Sequence, residues 1–329
     1  MLASHLDKNF DTPEMKAVAS RDGFGEGLLE AGKRDERVVA LAADLTESTR
    51  VLPFAEEFPK RFIQMGITEQ NMASVASGMA AMGKIPFIAS YAMFSPGRNW
   101  EQIRTTIAYN ESNVKIIGAH AGVSVGPDGA THQAIEDIAL MRVIPNMVVI
   151  APADKHEARK ATLAAAKYDG PVYIRLGRSN TPVVTTPESP FEIGKAEVFY
   201  TKNSSVGAQS VCIMVTGTLL YNALKAAIIL EEAGIPTTVL HIPTIKPLDK
   251  EAVIREAKNH NGIVTVEEHQ IAGGLGGVIT ETLSENEPKR LVRVGVNDQF
   301  GQSGEPDELI EHYGMGVEAI VAAGKKVLG

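Results

Sequence analysis

Cysteine occurs once in 329 residues, at Cys212 in the apolar run SVCIMV, where burial is expected. One cysteine makes no disulfide within the chain and no Cys-rich zinc site, and a reducing cytoplasm suits such a sequence. No run approaches the ~20 apolar residues of a membrane span, so no membrane partner is expected. The N-terminal MLASHLDKNF carries charges and lacks the apolar core of a signal peptide. Basic charge is in deficit: 32 Lys and Arg against 40 Asp and Glu leave a formal charge of −8. The lysines and arginines are scattered, which argues against a nucleic-acid partner held by a basic stripe; an anionic substrate would need a local basic pocket. Neither G-x-G-x-x-G nor a P-loop is present. The glycine-rich EEHQIAGGLGG, residues 267–277, is read as a packing turn that opens a helix. Aromatics are scarce at 5%, which singles out any that stand beside a polar motif.

What is present, 44% hydrophobic and 22% charged residues, is ordinary for a globular protein long enough for two cores. Apolar β-type runs alternate with helical patterns: RVVALAADL, KIPFIASYA, VKIIGAHAG and MVVIAPA, then SVCIMVTG, TTVLHIP, GIVTVEEH and RLVRVGV. This alternation predicts two α/β domains, each with a mainly parallel sheet covered by helices. Pro182, Pro187 and Pro190 mark the passage between them. The expected boundaries are residues 1–190 for the first domain, 191–207 for a linker and 208–329 for the second.

In FIQMGITEQNMASVASGMAAMG, residues 62–83, a short apolar strand breaks at Gly66, and Met72, Val75, Ala76 and Met79 then recur at helical spacing. Glu69 falls in the first helical turn, where an anion gains roughly 0.3–1 kcal/mol, and reads as a capping acid or a functional carboxylate. Tyr91 and Phe94 close another apolar strand, as core aromatics or as a stacking surface. The loop 118–137 gathers His120, Asp128 and His132 among glycines, ahead of a helix expected from His132. Open α/β sheets bind ligands at such strand ends. Asp44, in ADL, reads as a helix N-cap or a site residue.

Gly66-Ile67-Thr68-Glu69-Gln70 resembles the G-[IV]-x-E-[QH] signature of the pyrimidine domain of thiamine-diphosphate enzymes. His120 to Gln133 is similar to the transketolase segment H-x-x-x-x-x-G-x-D-G-x-x-H-Q. By these motifs the chain resembles the second half of a transketolase: a pyrimidine-binding (Pyr) domain followed by a transketolase C-terminal domain. The resemblance implies catalytic roles for Glu69, which would meet the aminopyrimidine ring nitrogen, and for His132. It implies that Phe94 or Tyr91 stacks on that ring and that Asp44 lies near the cofactor. Arg21, Ser48, His120 and Arg178, with Arg175 an alternative to Arg178, would hold a sugar phosphate, while Asp128 and His132 would contact the substrate's C2 and C1 oxygens.

The metal-binding G-D-G motif of these enzymes occurs nowhere in the chain, and no metal ligand is expected from it. The resemblance therefore implies the C-terminal subunit of a split transketolase. A separate N-terminal subunit would bind the diphosphate and Mg²⁺ or Ca²⁺, and self-association through the Pyr domain would give a heterotetramer. The implied activity is ketol transfer between sugar phosphates of the pentose phosphate pathway. Two rivals share the layout. A 2-oxoacid dehydrogenase E1 β subunit normally reads A-x-Q-H-S in the loop, and 1-deoxyxylulose-5-phosphate synthase has a second histidine where Gln133 stands. A non-enzymatic relic would have lost the ligand residues. Ala130 and Pro127 replace the proline and glutamate common in the family loop, which leaves the donor sugar open.

Overall fold

The computed structural model describes residues 1–201 and 209–329; residues 202–208, where the expected linker ends and the expected second domain begins, lie outside the described residues. Among the described residues the first half forms strands β1 (Ala17–Ala19), β2 (Val38–Ala42), β3 (Phe62–Gln64), β4 (Ile85–Tyr91), β5 (Lys115–Ala119), β6 (Val148–Ile150), β7 (Val172–Arg175) and β8 (Asn180–Pro182). The second half forms β9 (Glu197–Tyr200), β10 (Val211–Val215), β11 (Thr237–His241), β12 (Thr244–Lys246), β13 (Gly262–Gln270) and β14 (Leu291–Val296). One sheet runs β12-β6-β7-β5-β4-β2-β3 and the other β14-β13-β10-β11-β9, while β1 and β8 make a short ribbon. Pairing within the two larger sheets is parallel except at the edges, where β12 lies antiparallel to β6 and β9 antiparallel to β11. Two α/β domains with mainly parallel sheets are what the alternation predicts.

The edge strands tie the halves together. Glu197–Tyr200, inside the stretch expected to connect the domains, joins the second sheet. Thr244–Lys246 returns from the second half to the first sheet, with Thr244 opposite Ile150.

The central strands are apolar on both faces because helices cover both. Along β2, Val39 and Leu41 pack with Met72, Ile88 and Ile116, while Val38 and Ala40 pack on the other face with Phe24, Phe87 and Ile117. The strands of this sheet run parallel and nearly in register, which puts their carboxyl ends at one rim. The helix Glu69–Ala81 buries Met72, Ala73 and Ala76 against it. Cys212 is buried and free.

The helix expected from His132 begins five residues later, spanning Asp137–Arg142. Before it, the His132 N–H donates to the Gly129 carbonyl and the Gly122 N–H to the Ala134 carbonyl, so a closed loop replaces the first helical turn. The glycine-rich turn ahead of the helix Leu275–Asn286 serves packing, as the sequence suggests. The N–H groups of Leu275 and Gly276 donate to Glu267 Oε2 and Oε1 at 2.6 and 2.7 Å, so a buried carboxylate of the chain fills the place an anion would take.

Candidate active site

The strand order sets the carboxyl ends of β7, β5, β4, β2 and β3 side by side, and each leads into a residue singled out from the sequence. Arg178 lies beyond β7, His120 beyond β5, Tyr91 at the end of β4, Asp44 beyond β2 and Glu69 beyond β3. This is the rim at which open parallel sheets take ligands.

Glu69 opens its helix and is only 1% exposed. Its carboxylate accepts from Ser90 Oγ at 3.3 Å and from the Arg98 guanidinium at 2.6 Å; no helix N–H is among its partners, so it does not cap the helix. Arg98 also lies over the Phe94 ring, 4.8 Å from its centroid, with its side chain 44% exposed. The aromatic residues form one wall. Tyr91 and His120 stack at 3.9 Å and 26°, Phe94 lies nearly parallel to Tyr91 at 6.3 Å, and His132 meets Phe94 edge-on at 5.5 Å.

A basic cluster adjoins that wall. Arg21 Nη1 donates to the Ser48 carbonyl at 2.8 Å and lies 3.3 Å from His120 Nε2. Arg178 donates to the Val125 carbonyl at 2.7 Å and stands 4.0 Å from Asp128. Burial, reinforced by Arg21, Arg178, Arg50 and His132, pushes the His120 imidazole down to about 3, so it is neutral at physiological pH. Facing an arginine N–H, its Nε2 must be the acceptor, and Nδ1 then carries the proton. Nδ1 is buried without a partner, as is Arg21 Nε. Two unspent donors, one of them on the half-buried Arg21 itself, are a donor set for an oxyanion. His120 is held in the left-handed region, at φ 53°, a conformation that costs a non-glycine residue energy and places its ring here. An open pocket of ≈ 410 Å³ is lined by Arg21, Arg178 and Ser179 on one side and by Glu305, Pro306 and Asp307 of the second domain on the other.

The structure thus links Ser48, Arg21, His120, Tyr91, Phe94 and His132 in one chain of contacts, with Glu69 joined through Arg98, while the Arg178–Asp128 pair meets them only at the pocket that Arg178 shares with Arg21. Ser48 enters by its backbone carbonyl. Asp44 stands apart: it is exposed, at φ 59°, and its amide donates to Gln64 Oε1 rather than its side chain capping a helix. Arg175 is no alternative to Arg178, because it is 6% exposed and its donors are spent on Asp137 and the Glu268 carbonyl. Sequence reasoning missed Arg98, although it lies only four residues past Phe94. It also missed Glu305, Asp307 and Glu268, which come from the other domain and leave no local pattern.

The chain matches the family described as "Transketolase, pyrimidine binding domain" over residues 16–184, and "Transketolase, C-terminal domain" over residues 203–320. It is 46% identical to a "Putative transketolase C-terminal section" of Methanocaldococcus jannaschii, over 91% of this chain and 93% of that protein. It is 40% identical to a 6-deoxy-6-sulfo-D-fructose transketolase subunit of Clostridium sp. strain MSTE9, over 93% and 94% of the two chains. Among solved structures it superposes on "Split gene transketolase, inactive beta4 tetramer" with a TM-score of 0.85 and 43% identity, covering 94% of this chain and 98% of that one.

Proposed function

The chain belongs to the transketolase family, and on that premise we propose that it is the C-terminal subunit of a two-chain, thiamine-diphosphate-dependent transketolase that moves a ketol unit from a ketose phosphate to an aldose phosphate. The observation that carries this reading is the donor set of Arg21, Arg178 and neutral His120 beside an aromatic wall and a buried carboxylate.

The residues fit the cofactor. Glu69 is a buried carboxylate whose main charge partner, Arg98, is half in solvent and free to leave, so it can accept a hydrogen bond from a ring nitrogen and hold a proton there. Phe94 lies under the same Arg98 that pairs with Glu69, Tyr91 is next to Phe94, and the exposed Asp44 follows the neighbouring strand β2. When bound, thiamine diphosphate supplies the electron sink that ketol transfer requires. The diphosphate and its Mg²⁺ or Ca²⁺ would be held by a separate N-terminal subunit, since the chain has no G-D-G motif. Pairing of Pyr domains would make the assembly a heterotetramer. The relative named as a subunit and the structure titled split-gene support a two-chain arrangement.

The chain's own residues do the substrate work. Arg21, Arg178 and the His120 Nδ1–H bind the phosphate oxygens, and the rigid guanidinium forks fix the sugar's direction. His132 and Asp128, on the loop between them, contact the carbonyl and hydroxyl ends, with His132 moving a proton at the C1 oxygen. The divisions 1–190, 191–207 and 208–329 describe the Pyr domain, the connector and the C-terminal domain in this reading. No described helix is long and apolar enough to cross a membrane, and a cytoplasmic place in the pentose phosphate pathway suits these substrates. A sulfo-sugar donor is the second reading, favoured by the sulfofructose relative, since a sulfonate meets the same arginines.

The test is ketol transfer from xylulose 5-phosphate to ribose 5-phosphate, with thiamine diphosphate and Mg²⁺, by this chain alone and mixed with the diphosphate-binding chain. Activity in the mixture only, lost in Glu69→Ala, is expected. A mixture that binds cofactor but turns over only 6-deoxy-6-sulfofructose selects the second reading, and a mixture that binds no cofactor overturns both.

A further inference from the structure

We propose that Glu268, in the C-terminal domain, is a positioning residue for the anion pocket of the Pyr domain: its carboxylate suspends the loop that aims His120 and Arg178. The inference rests on the reading of that pocket as the phosphate site. Glu268 is 3% exposed, at the carboxyl end of β13, and reaches across the seam between the two sheets. Oε1 accepts the Ser124 N–H at 2.7 Å and Oε2 accepts the Thr218 hydroxyl at 3.1 Å. Ser124 lies between His120 and Asp128, so the bond grips the middle of the substrate loop. From there two links lead into the pocket. The Ser124 carbonyl accepts from Ser179 Oγ at 2.6 Å, and the next carbonyl, that of Val125, accepts from Arg178 at 2.7 Å.

Two further features show that the loop is shaped around this carboxylate. Gly122 sits at φ 88°, and a Cβ there would fall 2.1 Å from Glu268 Oε1, so the glutamate fills the space that the missing side chain leaves. The backbone of Glu268 is itself anchored, its carbonyl accepting from Arg175 at 2.6 Å while the Arg175 Nε grips Asp137 at 3.0 Å. A buried carboxylate bonded to a backbone N–H is a charge-assisted contact in a low dielectric, and its removal leaves that N–H unsatisfied. With the loop free to shift, His120 and Arg178 no longer converge. The C-terminal domain therefore acts on substrate binding without a side chain of Glu268 touching substrate.

The full chain is titrated with inorganic phosphate by calorimetry, as wild type, Arg21→Ala, Glu268→Gln and Glu268→Ala, and the His120 and arginine resonances are followed by NMR. Phosphate affinity falls roughly tenfold or more in Glu268→Ala, and less in Glu268→Gln, whose amide oxygen still accepts from Ser124. The His120 and Arg178 signals shift in Glu268→Gln while the rest of the spectrum keeps its dispersion. A merely structural role would lower the melting temperature and leave those signals and the affinity in place. Should Glu268→Ala fail to fold, the Gln variant decides by its resonances. Phosphate binding that is weakened by Arg21→Ala but stays within about twofold of wild type in folded Glu268 variants overturns this proposal alone. A wild type that binds no phosphate, with Arg21→Ala indistinguishable from it, overturns the anion-pocket reading and this inference with it.

Discussion

Arg175 and Arg178 leave the same strand end, yet one is closed in the seam between the sheets and the other opens on the candidate site. Arg175 is 6% exposed, and its planar fork is spent on Asp137, which Tyr173 also contacts, and on the Glu268 carbonyl. Arg178 has a side chain 34% exposed, one bond to a backbone carbonyl and a carboxylate no nearer than 4.0 Å. The same residue type, with the same charge, is in one case a staple and in the other a ligand arm. Satisfaction is what separates them: a buried charge is tolerated only when its donors are met, and a donor left over at a rim is there for something else.

The largest effect should come from removing the closed arginine. Arg175→Ala leaves Asp137 buried without its counter-ion and should cost about 3–5 kcal/mol of stability in urea unfolding of the full chain. A loss below about 1 kcal/mol would place the seam outside the load of the fold and erase the contrast. Arg178→Ala should behave in the opposite way, with stability unchanged within about 0.5 kcal/mol and phosphate affinity weakened by roughly 1.5–3 kcal/mol, both read on the same preparation by unfolding and calorimetry.

His120 sharpens the comparison through pH. Its imidazole sits at about 3 rather than the usual 6.5, so between those values the folded chain binds fewer protons than the unfolded one. The neutral ring's contribution to stability is complete above 6.5 and is lost as pH falls towards 3, at no more than about 1.4 kcal/mol per unit. His120→Asn should flatten that part of the stability profile relative to wild type. Unchanged profiles would mean that the ring is not held neutral. The smallest effect concerns stacking. One face of Tyr91 is already covered by His120 at 3.9 Å, whereas Phe94 is covered by the displaceable Arg98. Phe94→Leu should therefore weaken thiamine-diphosphate binding by the assembled pair by about 0.5–1.5 kcal/mol, and Tyr91→Leu by less. The reverse order would make Tyr91 the stacking residue.

The alternation of apolar and helical segments determined the two α/β domains, because strand and helix periodicities are local and each must bury its apolar side. The spacing of Gly66 to Gln70 and of His120 to Gln133 likewise marked residues that the parallel sheet then lines up at one rim. Other features were beyond local reading. Nothing in YIRLGRSN distinguishes Arg175 from Arg178; only the position of Asp137 and Glu268 across the seam does. The helix begins at Asp137 rather than His132 because the Gly129 and Ala134 carbonyls close a loop first. Thr244–Lys246 completes a sheet laid down by the other half of the chain, and Glu305 to Asp307 wall a pocket whose arginines belong to the first domain. The sequence by itself determined which elements form and which side chains stand at strand ends, since those depend on neighbours a few residues away. Which charges are satisfied, and which donors stay free for a substrate, depended on contacts between distant segments, and only the packing of one domain against the other decided them.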